Sequence, residues 1–307
     1  MMTVQSMITP PPLIQGDSVA IVSPASVIDP KLVDGACDTL LKWGFEPRVY
    51  PHALAVDGSY AGSADERLND LAAALTDPAI KAIICSRGGY GAVHLLSRLS
   101  QLDLTAHPKW LVGFSDISAL HGLMHSQEVM SIHGSMAKQL ALGTDDEINK
   151  DLLSLLTGVP PRPIEWESAN FVNPGTVTAP MIGGNLAVIS ALIDTPYNLI
   201  VPGTILVVED ISEPIYKVER IFYQLMLSGK LQQLAGLVVG QFTEYHPDRN
   251  HLTMEDMLCP ILKQLRCPVA TDAPIGHIDS NRPWVEGATT TLTVLPNRQV
   301  TITQHIQ

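Results

Sequence analysis

Positive charge is scarce in this 307-residue chain: 19 Lys and Arg stand against 31 Asp and Glu, a formal net charge of −12 with no basic run anywhere. Phosphate neutralisation has no obvious platform, which argues against a nucleic-acid partner, and an acidic surface disfavours anionic membranes. No stretch approaches the roughly 20 apolar residues of a membrane-spanning helix. The N-terminus, MMTVQSMITPPPLIQGD, lacks a basic start, a continuous apolar run and a small-residue cleavage site, so no secretory signal is expected and a cytoplasmic location is. Cysteines number only four (Cys37, Cys85, Cys259, Cys267), with no CxxC spacing, and read as buried small hydrophobes rather than a disulfide framework. Aromatics make up 5% of the chain, so its core must be built from Ala, Val, Ile and Leu. What is present, 46% hydrophobic and 16% charged residues, is globular composition and excludes a disordered protein.

The first half alternates strand and helix signals. Asp17 to Ser23 reads as a short buried strand, and Pro30 to Trp43 as a helix with Gly44 beyond its end. Ser63-x-x-Glu66 is a capping box opening a second helix, whose stripe is Leu68, Leu71, Ala72 and Leu75. Further strands are predicted at Ile80 to Cys85 and Trp110 to Phe114, each followed by a helix. Repeated units of this kind imply an α/β fold with a parallel sheet covered by helices. Between about Thr157 and Thr176 the pattern lapses into Pro- and Gly-rich turns, read as a linker. The expected division is 1–156 for an N-terminal domain, 157–176 for the linker and 177–307 for a C-terminal domain. Beyond the linker the pattern predicts a turn at Gly183-Gly184, a helix from Asn185 to Ile193, and a strand from Thr204 to Glu209. There follow a helix from Pro214 to about Ser228, a strand from Leu237 to Gln241, a helix near Met254 to Leu265, a strand at Pro268 to Thr271 and a terminal hairpin over 289–304.

Four segments carry residues suited to chemistry. In Lys109-Trp-Leu-Val-Gly-Phe-Ser115-Asp116, a hydrophobic strand runs into a serine and a helix begins at once. Such a turn exposes the hydroxyl above the carboxyl edge of the sheet, and the N–H of Asp116 can donate to an oxyanion. The helix N-terminus places partial positive charge nearby. The match to GxSxG is partial, since Ile117 fills the last position, and Ser115 or Asp116 would equally serve as a helix cap. Ser86-Arg87-Gly88-Gly89-Tyr90-Gly91 is a second strand end; its glycines suit an oxyanion hole or phosphate, or simply a tight turn. It lacks the GxGxxG and P-loop spacings. A third strand ends in Glu209-Asp210, where one acid can orient a base and the other cap a helix. His277 lies in a loop, Pro274-Ile-Gly-His277. Together Ser115, Glu209 and His277 supply a nucleophile, an acid and a base, since a serine hydroxyl needs a base and the resulting imidazolium needs a carboxylate. No metal or cofactor is expected: His121 and His125 share a helix face, but no Glu follows the first and no third ligand is evident, so they read as structural.

In this order the segments resemble the LD-carboxypeptidases of bacterial cell-wall recycling, a family that includes microcin-processing peptidases. The matching stretches are Val22-Ser-Pro-Ala-Ser26, Arg87-Gly-Gly-Tyr-Gly91, Gly113-Phe-Ser-Asp116, His133-Gly134, Gly183-Gly-Asn-Leu186, Val208-Glu-Asp210 with Tyr216-Lys-Val-Glu-Arg220, and Gly276-His277. The resemblance implies a Rossmann-like N-terminal domain carrying the serine. A smaller C-terminal α+β domain would carry the acid and histidine, with the active site in the cleft between them. By motif it makes Ser115 the nucleophile, Glu209 the acid and His277 the base, with oxyanion donors at Asp116 and at Gly88 or Gly89. It also implies a homodimer, and release of terminal D-alanine from a murein tetrapeptide. Arg87 or Arg282 is expected to receive a substrate carboxylate. The rival reading, cleavage of a peptidyl-nucleotide amide, calls for an aromatic wall that Trp284 or Tyr90 would supply. A third is a non-catalytic protein binding a glycan or phosphate at the glycine loop.

Overall fold

The computed structural model describes residues 7–168 and 173–306. In chain order its first elements are β1 (Ser18–Val22), α1 (Pro30–Lys42), β2 (Glu46–Val49), α2 (Ala64–Thr76), β3 (Ile80–Cys85), α3 (Leu96–Leu99) and β4 (Trp110–Gly113). There follow α4 (Ser118–Ser126), β5 (Ser131–His133), α5 (Ala137–Leu140) and α6 (Glu147–Leu156). The second half comprises β6 (Ile164–Glu167), β7 (Gly175–Asn185), α7 (Leu186–Ser190), β8 (Ile205–Ile211), α8 (Ile215–Leu227) and β9 (Gly236–Thr243). It ends with α9 (Met254–Leu262), β10 (Val269–Ala270), β11 (Trp284–Glu286), β12 (Thr289–Val294) and β13 (Gln299–His305). Two compact units result, Met1–Pro161 with Pro283–Gly287, and Arg162–Arg282 with Ala288–Ile306. Among the described residues no helix is long and apolar enough to cross a membrane.

The first unit is built on a six-stranded sheet in the order β11-β5-β4-β3-β1-β2. β1 to β5 run parallel, and β11 closes the edge antiparallel to β5 with Trp284 opposite His133. All five residues of β1 and all four of β4 are buried, as a parallel sheet covered on both faces requires. The order 2-1-3-4-5 is that of a doubly wound fold, in which ligands gather at the carboxyl ends of the strands. Those ends here present Ser23–Ser26 after β1, Ser86–Gly91 after β3 and Phe114–Ser115 after β4. The helices start where the sequence demands: Asp29 caps α1, and Ser63 with Glu66 forms the reciprocal box at α2. β2 and β5 were not foreseen; β2 carries Glu46, Pro47 and Arg48 on a sheet edge and has no apolar run to announce it.

The second, smaller unit is a seven-stranded sheet in the order β10-β9-β8-β7-β12-β13-β6. β7 is long enough to serve both halves: residues 175–180 pair antiparallel with β12, and 181–185 pair parallel with β8. Its core packs Ile182, Val208, Phe222, Leu237 and Leu258 among α7, α8 and α9.

Several sequence expectations need correction. Gly183-Gly184 is no turn but part of β7, opposite Val207-Val208. A Cβ at Gly183 would lie 1.9 Å from the Val207 carbonyl oxygen, so the glycine marks close backbone approach rather than chain reversal. The stretch 157–176 contains β6, which pairs with β13, while 169–172 lie outside the described residues. Residues 283–287, expected in the second domain, belong to the first unit through the β11–β5 pairing. Of the four free cysteines only Cys85, at the end of β3, is fully buried; the other three are half-buried.

Gly183→Ala combines that collision with a backbone at φ +151°. The expected outcome is a loss of about 3–5 kcal/mol from the second unit, or failure to fold. Denaturant unfolding followed by circular dichroism measures it, and a change below about 1 kcal/mol would contradict the close approach.

Candidate active site

Ser115 stands directly after β4 and holds a left-handed backbone at φ +66°. Phe114 before it is extended, and Ser115–Ile117 form a single 3-10 turn leading into α4. A left-handed serine costs on the order of 1–3 kcal/mol, and such strain at a strand-to-helix junction is a feature of nucleophile elbows. Gly113 makes the turn possible, because a Cβ there would meet the Ile117 side chain at 2.8 Å. Behind it the fully buried His121 has both ring nitrogens engaged, Nε2 with the Gly113 carbonyl at 2.9 Å and Nδ1 with Ser131 Oγ at 2.8 Å. Burial pulls its pKa down to about 4, against the smaller raising effect of the Gly113 bond, so this ring is a neutral structural strut.

The glycine loop after β3 lies against the serine. A Cβ on Gly88 would sit 2.7 Å from Ser115 Cβ, 2.8 Å from its Oγ and 3.3 Å from the Asp116 nitrogen. Gly89, at φ +112°, faces Ser26 instead, where a Cβ would fall 2.2 Å from Oγ. The Ser26 N–H donates to the Gly88 carbonyl at 3.3 Å, and the Tyr90 N–H donates to Ser26 Oγ at 3.3 Å. Asp116 is buried, and its Oδ2 accepts from the Ala92 N–H at 2.9 Å. Burial raises the Asp116 pKa, partly offset by that bond and by Arg67 and His94. Arg67, which sequence reasoning passed over, is buried in the same place; the signal was a lone arginine on the apolar stripe of α2, one turn before Leu71.

In the second unit Glu209 and His277 meet. The ring Nδ1 lies 2.7 Å from Glu209 Oε2, with Glu209 fully buried and the His277 side chain 14% exposed. A carboxylate accepts only, so Nδ1–H is the donor in this pair. Glu209 is not at a strand end as expected but inside β8, where the register with β9 shifts between Val208 and Asp210. Two glycines admit the carboxylate: a Cβ on Gly276 would lie 3.1 Å from Glu209 Cβ, and one on Gly240 would lie 2.5 Å from the Ile275 carbonyl. The histidine loop is fixed by Asn281, whose Oδ1 accepts from the Gly276 N–H at 2.9 Å. Burial pulls the His277 pKa down, but the Glu209 hydrogen bond and the charges of Glu209, Asp210 and Glu244 outweigh it, so the net direction is up. Asp210 accepts from the Ala187 N–H at 2.8 Å and from Asn185 Nδ2 at 2.8 Å, serving the start of α7. Burial raises its pKa to about 6.

The structure also sorts the expected binding residues. Arg87 donates Nη1 to the Val27 carbonyl at 3.0 Å, and Tyr90 is 54% exposed beside it in the same loop. Arg282 lies in the second unit, where its backbone N–H donates to Pro274. Trp284 is a correction: it is fully buried in β11 with its ring 5.3 Å from His133, so it packs the first unit instead of forming an open wall. Among the described residues no group of three or more His, Cys, Asp or Glu is arranged to hold a metal ion.

Comparison with known proteins gives a consistent result. A profile of the LD-carboxypeptidase N-terminal domain matches residues 19–134, and one of the LD-carboxypeptidase C-terminal domain matches residues 178–292. The murein tetrapeptide carboxypeptidase of Pseudomonas aeruginosa is 32% identical over 286 residues, covering 89% of this chain and 92% of the relative. The crystal structure of muramoyltetrapeptide carboxypeptidase from Oxalobacter formigenes superposes with a TM-score of 0.82 at 27% identity, covering 94% of this chain and all of the other. The wild-type apo microcin C7 self-immunity protein MccF superposes with a TM-score of 0.85 at 20% identity, covering 97% of this chain and 99% of the other, which establishes likeness of fold.

Because the His277 pKa is raised above the roughly 6.5 of an unstructured histidine, its pairing with Glu209 adds stability present in full below that value. The contribution is lost as pH rises through the folded value. NMR titration of His277 is expected to show a midpoint above about 6.5, shifted downward in Glu209→Gln. A midpoint unmoved by that substitution would remove Glu209 as the cause.

Proposed function

The chain belongs to the LD-carboxypeptidase family, and from that membership we propose that it is a serine carboxypeptidase that releases terminal D-alanine from murein tetrapeptides in cytoplasmic cell-wall recycling, working as a homodimer. The observation that carries this reading is Ser115: a strained serine after β4, with a glycine backbone packed on its hydroxyl. In this reading Ser115 is the nucleophile, His277 the base and Glu209 its orienting acid.

The chemistry follows the order of charge development. His277 Nε2 takes the Ser115 proton as Oγ attacks the carbonyl of the L-centre preceding D-alanine. Glu209, bonded to Nδ1–H, holds the tautomer and stabilises the imidazolium. The tetrahedral oxyanion takes hydrogen bonds from the backbone N–H of Asp116 and of the glycine loop. Gly88 is favoured over Gly89, because its Cα approaches Ser115 while Gly89 faces Ser26. The intermediate collapses as His277 gives its proton to the leaving amine, and water then hydrolyses the acyl-enzyme by the same route. Acid–base assistance of this kind is worth on the order of 10²–10⁴-fold.

Hydrolysis of L-Ala-γ-D-Glu-meso-diaminopimelate-D-Ala, followed by release of free D-alanine, tests the reading. The wild type is expected to release it, and folded Ser115→Ala to fall by at least about 10³-fold. No release by the wild type would discard the murein substrate and make peptidyl nucleotides the next to try. Ligand binding that survives Ser115→Ala with no hydrolysis of any amide would point to the non-catalytic reading. Arg87 offers its remaining N–H groups to a substrate carboxylate, so Arg87→Ala is expected to raise KM about tenfold with little change in kcat. An unchanged KM would exclude that role.

A further inference from the structure

One peptide group of the glycine loop is held at both of its polar atoms by buried side chains of opposite charge. The Gly91 carbonyl accepts from Arg67 Nη1 at 2.9 Å, and the N–H of the same peptide, on Ala92, donates to Asp116 Oδ2 at 2.9 Å. Arg67 and Asp116 are each 3% exposed. Among the described residues neither makes a direct ion pair; the peptide stands between them. Arg67 is fixed in turn by the Pro24 carbonyl at 2.7 Å, the Gly62 carbonyl at 3.3 Å and the Tyr60 ring, whose centroid lies 5.0 Å from the guanidinium carbon. Gly91 has to be a glycine for this: at φ +120°, a Cβ would lie 2.8 Å from Arg67 Nη1 and 3.1 Å from the Tyr60 ring.

Asp116 follows Ser115 directly, so its carboxylate ties the serine turn to the far end of the loop, while Gly88 touches the serine at the near end. A carboxylate beside a developing oxyanion would oppose it electrostatically unless its charge were taken up. The peptide N–H takes up part of that charge, and Arg67 across the peptide offsets more of it.

We propose that Arg67 and Asp116 are positioning residues that clamp the Gly91–Ala92 peptide between them and thereby hold the glycine loop against Ser115. The proposal rests on Ser115 being the nucleophile and the loop its oxyanion site. Neither side chain touches the substrate; both act through the loop backbone.

Two readouts on the intact 307-residue chain separate the clamp from the nucleophile assignment. One is amide hydrogen exchange of the segment 86–95 by mass spectrometry; the other is the rate at which a fluorophosphonate labels Ser115. In Asp116→Ala, exchange in that segment alone is expected to quicken by roughly 10- to 100-fold, the loss of a hydrogen bond to a charged group, with labelling slowed by a similar factor. Asp116→Asn keeps an acceptor oxygen and is expected to recover about tenfold of each loss. Arg67→Lys keeps the charge but not the fork, and should quicken exchange at the same segment should Asp116→Ala fail to fold. Unchanged exchange at 86–95 in these variants, or quickening spread evenly over the first unit, would overturn the clamp. A wild type labelled no faster than Ser115→Ala would instead overturn the nucleophile reading, and the exchange data would still decide the clamp.

Discussion

Ser115 sits where a single extra methyl group would not fit. Its backbone is left-handed, and the neighbouring loop comes so close that a Cβ on Gly88 would collide with the serine side chain at 2.7 Å. Much of the first unit's upper edge follows from that steric constraint. Gly113 must lack a side chain so that Ile117 can fold under the turn, and Gly89 must lack one so that Ser26 can bond the loop. Strain of this kind persists only where the surroundings over-determine it. The parallel sheet does so by delivering three strand ends to one edge with fully buried strands beneath.

The second unit solves a related problem with a charge in place of a hydroxyl. Burying Glu209 completely would be costly if it were unpaired, and the His277 Nδ1–H at 2.7 Å is its partner. Room for that pair comes again from missing side chains, at Gly240 and Gly276. Both units therefore pack glycine backbone directly against a polar side chain, Ser115 in one and Glu209 in the other. Flexible contacts would leave the hydroxyl or the ring free to sample other rotamers.

The sequence made the regular parts of this architecture legible and left its exceptions obscure. Pro30, the Ser63–Glu66 box and the apolar runs at Ile80–Cys85 and Trp110–Gly113 all declare their elements locally, and each element formed where its signal lay. Ser115 was legible as a serine between a strand and a helix, though not that its φ is positive. Gly183-Gly184 misled because glycine pairs suit turns and close strand approach alike, and only the partner strand distinguishes the two. Trp284 misled because its neighbours Asn281, Arg282 and Pro283 look like a loop, whereas a three-residue edge strand buries it against His133. Arg67 escaped notice because its partners are carbonyls distant in sequence, at Pro24 and Gly91. Such contacts have no local pattern, so no periodicity could reveal them.

The proposed anionic peptide substrate is compatible with a net charge of −12 because electrostatic fields in salt are local. At physiological ionic strength the screening length is about 8 Å, so the average surface field fades over the width of a side chain or two. What a carboxylate meets on arrival is set by the few groups within that distance. Arg87 sits at the base of the glycine loop with one N–H spent on the Val27 carbonyl, its guanidinium orientation thereby fixed. The buried Arg67 does not offer itself to a ligand: its Nε and Nη1 donate to the Gly62, Pro24 and Gly91 carbonyls, and its Nη2 lies 3.4 Å from His94 Nδ1. On the proposed reading, the positive charge that a substrate carboxylate would meet is that of Arg87 and not the average of the acidic exterior.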